Sequence, residues 1–127
     1  MLDLANIYAA KAIAISAQYG GPYHSGLIVD YAAPVYDSGG SIVTAGARQV
    51  RECQAQVDSA TQAMRAADGY TEGDMRILVL ASGLAGAVTT DSRIEITSGP
   101  HVGGWLVASV ARDPIGVYWE LRGRRAN

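Results

Sequence analysis

The chain has 127 residues and a formal net charge of −2, so its length suits one domain and its charge argues against a nucleic-acid binder that works by charge alone. Hydrophobic residues make up 49% without a single Phe, and the lone Cys53 excludes an intramolecular disulfide or an all-cysteine metal site. No run approaches the ~18 consecutive apolar residues of a membrane span. The apolar N-terminus, with Asp3 where a signal peptide carries positive charge and Lys11 in its middle, does not read as a targeting segment. The expectation is a soluble intracellular protein that contacts no membrane.

In chain order, Leu4, Ile7, Tyr8, Lys11 or Ala12, and Ile15 fall at helical spacing. Asp3 is a plausible cap and Gly20-Gly21-Pro22 a stop, which predicts a helix over 3–19. Its apolar stripe must cover either its own sheet or a neighbouring subunit. Residues 25–31 alternate as a first strand. Residues 32–47, with Pro34, Asp37-Ser38-Gly39-Gly40 and Gly46, read as a hairpin or exposed loop with a short extended piece at 42–44. Residues 48–57 alternate well: Arg51, Cys53, Ala55 and Val57 share one side, the half-buried one.

Residues 59–67 are good helix material ended by Asp68-Gly69, either one or two helical turns or a loop that orders on assembly. A compact apolar strand follows at 75–81, then a turn region at 82–91. Three alternating runs, 93–97, 104–111 and 115–122, separated by Ser98-Gly99-Pro100 and Asp113-Pro114, predict an antiparallel meander. The whole predicts one mainly β domain: a small antiparallel β-barrel or sandwich over 25–122, an N-terminal helix within 1–20, an insertion loop at 58–74, and a basic tail at 123–127.

Chemistry is sparse. His24 and His101 sit beside turn residues and neither has a partner at ligand or catalytic spacing, so both read as turn histidines. Cys53 lies on the apolar side of a strand, the place of a small core residue. Asp91, Glu95, Asp113 and Glu120 read as solvated acids. The Gly-Gly pairs form neither GxGxxG nor a P-loop. Trp105 and Trp119 share strand faces with Val107 and with Val117 and Leu121, which favours core packing over base stacking. Neither an enzyme nor a cofactor is expected. The insertion is net acidic, with Asp58, Asp68, Glu72 and Asp74 against Arg65. It reads as a solvated loop, or as the lining of a channel from which negative charge repels DNA.

Helix, strand, long loop and closing meander, in this order, resemble the head-completion proteins of long-tailed phages and gene transfer agents. This family is also called stopper, head–tail joining or head-closure proteins. The closing module carries the likeness: GDxRIxV at 73–79, RIxxxxGxxxGxWxVxxVxRD at 93–113, and a last strand ending in Trp-Glu-Leu-Arg at 119–122. The resemblance implies a virion protein, assembled in the host cytoplasm, that forms a homo-oligomeric ring at the neck. Such a ring sits beneath portal and adaptor, closes the DNA channel after packaging, touches the packaged DNA only transiently, and docks the tail. It further implies that Asp58, Arg65, Asp68, Glu72 and Asp74 belong to a channel gate. Leu4, Tyr8 and Ile15 on the helix, and Arg122, Arg124 and Arg125 at the end, are then expected at contacts with a neighbour, the adaptor or an adjacent ring. Rings of six and of twelve both fit. Two rivals are a tail terminator or other tail ring, and a small barrel that binds single-stranded nucleic acid. A small hydrolase is favoured by nothing in particular.

Overall fold

A computed structural model of the chain describes residues 4–19, 21–31, 35–44 and 48–126. The expected Asp3 cap, Gly20 and part of the 32–47 stretch lie outside the described residues. The described elements are α1 (Leu4–Tyr19), β1 (His24–Tyr31), β2 (Val35–Tyr36), β3 (Ile42–Thr44), β4 (Arg48–Ser59), α2 (Gln62–Ala66), β5 (Met75–Leu80), β6 (Arg93–Ile96), β7 (Gly103–Arg112) and β8 (Tyr118–Arg125). Six strands close an antiparallel barrel in the order β1-β4-β5-β8-β7-β6, while β2 and β3 form a separate ribbon. The fold is mainly β with an N-terminal helix, as the alternation and turn signals predict.

Period-two alternation explains the core, because successive strand residues point to opposite faces. Cys53 and Ala55 on β4, Ile77 and Val79 on β5, Ile94 and Ile96 on β6, and Trp105 and Val107 on β7 all face inward. Ile28, Ile77, Ile94 and Leu121 are fully buried. Each such side chain contributes about 1.5–3 kcal/mol of transfer free energy. The register of β7 on β8 slips between Val107 and Ser109. Opposite that bulge stands Gly123, where a Cβ would lie 2.4 Å from Ile77 Cδ1. The large core side chains close over a position that only glycine leaves empty.

Of the two partners open to the apolar stripe of α1, its own sheet is not the one it covers. Ala9 and Ser16 are buried, and Ala5 and Ala12 pack on the outside of the barrel against Tyr23, Leu78, Leu80, Val117 and Tyr118. The small residues are the inner stripe. Leu4, Tyr8 and Ile15 are 59%, 47% and 52% exposed, with Ile7 and Ile13 also outward. The helix is apolar almost all round, so size selected the docking face: alanines let the helix backbone lie close to β5.

Two further boundaries differ. The expected tail at 123–127 is strand through Arg125, and the segment read as a loop from 58 begins inside β4, which runs to Ser59.

Candidate functional site

Antiparallel strands place loops at two ends of the barrel. At one end lie the β2–β3 ribbon and residues 81–92. At the other lie the α1–β1 connection, the segment with α2, and the turn before β7.

At the first end Arg51 gathers a loop. Its guanidinium donates to Asp30 Oδ2 at 2.7 Å, to the Ala87 carbonyl at 2.9 Å, and to the Ala85 carbonyl. Ser92 Oγ donates to the other oxygen of Asp30 at 2.5 Å. Buried Val88 is thereby held against the core. This is a latch for 81–92. It brings a hydroxyl and a carboxylate together, but neither imidazole of the chain hydrogen-bonds a side chain among the described residues.

At the second end Asp74 gathers cations. Its buried carboxylate accepts from Arg124 at 2.9 Å through both oxygens and lies 3.5 Å from Arg122 Nε. It also accepts from the Thr71 backbone N–H at 3.0 Å, while Arg124 donates to the Gly69 carbonyl. The Arg124 hydrogen bond, aided by Thr71, holds the Asp74 carboxyl below its ordinary value against the opposing effect of burial. The α2 segment is thus tied to the outside of the barrel, where Thr61, Met64 and Ala67 face Ser109, Glu120 and Arg122 across a cleft of about 370 Å³.

The predicted gate residues therefore separate. Asp74 is buried in this clamp. Asp58 lies on β4 and accepts from Gln56 at 2.9 Å, while Arg65, Asp68 and Glu72 stay exposed. The expected interface residues separate too. Arg122 is only 6% exposed and Arg124 is bound to Asp74, so neither is the free tail arginine that strand-end composition suggests. Arg125 is exposed, stacks 4.3 Å from the Trp105 ring centre and donates to the Val102 carbonyl. Arg112 lies 4.7 Å over Trp119. Each indole has a guanidinium on it, and Trp105 is itself buried, so neither is an open platform for a base.

Folding brings His24 and His101 into one cleft of about 280 Å³ at the second end, beside Gln56 and Asp58. They lie far apart in the chain, and only the barrel's closure joins them. Among the described residues no three His, Cys, Asp or Glu side chains come together as a metal site. Burial pushes the Cys53 thiol up to about 12, which leaves it protonated and poorly nucleophilic at neutral pH. Burial, reinforced by the neighbouring Tyr8, also pushes the Tyr23 phenol up. No described helix is long and apolar enough to cross a membrane.

No family model matches the chain, and no curated protein does. Among solved structures the chain is similar to the solution structure of protein SF1141 from Shigella flexneri 2a. The two are 17% identical with a TM-score of 0.60, over 81% of this chain and 91% of that one. At that identity the likeness is one of fold.

Proposed function

We propose that this chain is a structural protein of the phage neck: a head-completion subunit that forms a ring between the portal or adaptor and the tail, closes the DNA channel after packaging, and docks the tail. The observation that carries this reading is the outward apolar face of α1, with Leu4, Tyr8 and Ile15 each about half exposed or more. An apolar stripe of this size on a small barrel marks a contact surface. The order of helix, strand, α2 segment and closing meander supports the same assignment. The α2 segment at 58–74 takes the gate role, its exposed acids Asp58, Asp68 and Glu72 repelling DNA from the channel wall.

Electron microscopy of intact particles carrying a tag on this protein tests the reading. Label at a single position between head and tail supports it. Label along the tail assigns the chain to a tube, label on free tails alone to a terminator ring, and absence of label from particles overturns the neck reading.

A further inference from the structure

Two faces of the molecule carry exposed apolar residues. The first is the outer face of α1, which rides on β5. The second is the wall formed by β4, β1, β6 and β7. Cross-strand register sets Val50, Val29, Arg93 and Leu106 in one outward row, of which Val29 is covered at 2% exposure, and Glu52, Leu27 and Glu95 in the next. Val50 and Leu106 are 43% and 47% exposed. β5 and β6 stand three places apart in a closed ring of six strands, while the C-terminal half of α1 reaches Ser25 and Gln54 at one end of β1 and β4.

We propose that α1 of one copy seats on the β1–β6–β7 wall of the next, in a head-to-tail contact. Charge selects this pairing. Lys11 is the one charged residue of α1 and lies exposed between Tyr8 and Ile15 on the outer face. The wall flanks Leu27 with Glu52 and Glu95. Glu95 lies 3.4 Å from Arg93, and Glu52 has no ion-pair partner among the described residues. Helix against helix would set lysine beside lysine, and wall against wall would set glutamates together; helix against wall matches both charge and apolarity. Two different complementary faces make a heterologous interface, which generates a ring when its rotation closes. The helix offers a footprint of about 24 Å by ~10 Å, well below the ~800 Å² per partner of a stable pair. One contact alone is weak, and closure, in which every copy uses both faces, supplies the stability. The contact stands on the two faces; its closure rests on the ring reading above.

Sedimentation of the full chain tests it, with variants on the two exposed positions Ile15 and Leu106. The mass of the wild-type protein should rise with concentration, and Ile15→Asp and Leu106→Asp should each stay monomeric with unchanged circular dichroism. Their equimolar mixture should form a dimer and stop there, because only one intact helix and one intact wall remain. Lys11→Glu should weaken association roughly tenfold at low salt, and Glu52→Lys in the same chain should restore it. The proposal is overturned by wild-type protein that stays monomeric to about 1 mM, by Leu106→Asp associating like wild type, or by a mixture that stays monomeric. Assembly of this kind without neck label keeps the interface and removes the neck reading. Neck label on particles carrying Ile15→Asp protein does the reverse.

Discussion

The two ends of the barrel are fastened by opposite chemistry. At one end a cation, Arg51, collects a carboxylate and two carbonyls; at the other a carboxylate, Asp74, collects two cations and a backbone N–H. The Arg51 side chain is 23% exposed and the carbonyls it holds lie on exposed residues that water can serve. The Asp74 side chain is 0% exposed and its neighbour Arg122 7%. Arginine keeps its charge at every accessible pH, whereas a carboxylate can be neutralised. The first latch should therefore be forgiving, and the second strong but dependent on acid.

The largest effect expected from breaking this pattern is Asp74→Ala. It leaves Arg122 buried with its counter-charge gone, and urea titration should show a loss of about 3–5 kcal/mol. Arg51→Ala should cost about 1–2 kcal/mol, since the freed carbonyls turn to water, and amide exchange should accelerate over 81–92 and little elsewhere. Acid should separate the ends further. The folded carboxyl of Asp74 is depressed, so its contribution is complete above the unfolded carboxylate range near pH ~3.9 and is lost as pH falls through the lower folded value. The stability gap between wild type and Asp74→Asn should hold from pH 7 to pH 5 and narrow below about pH 4. A gap that is flat down to pH 2 would mean that the ion pairs contribute nothing. The smallest change is Thr61→Ala. The Thr61 hydroxyl accepts from the Met64 N–H at 3.1 Å and caps α2, so its loss should cost about 0.5–1 kcal/mol and raise exchange in the α2 segment alone.

How much of this was legible in the sequence depended on whether a signal was local. The meander of β6, β7 and β8 follows from alternation and from two Gly/Pro turns, and the inward set of β4 from the spacing of Cys53 and Ala55. The helix was legible as a helix but not as to its inner side. The stripe formed by Leu4, Tyr8 and Ile15 satisfies the spacing rule, yet Ala5, Ala9, Ala12 and Ser16 satisfy it equally, and close approach to β5 favours the smaller set. The Asp74 clamp was hidden because Arg122 and Arg124 stand near the chain end, where charge reads as solvated. Their partner lies some fifty residues earlier, across a strand pair that only the fold defines. The meeting of His24 and His101 at one mouth carries no local signal at all.

Closure of the barrel has a consequence for who can join it. Each of its strands has a neighbour on both sides over part of its length, which confines unpaired strand edge to stretches such as Arg48–Gln54 of β4 and Val107–Arg112 of β7 and limits where an arbitrary chain could be recruited as an added strand. Backbone recognition is indifferent to sequence; side-chain recognition is not. Over the paired walls a partner of the barrel is read through residues such as Leu106, Glu52 and Lys11, and each of these can change without disturbing the core. Partner choice can thus drift between related chains while the fold stays fixed.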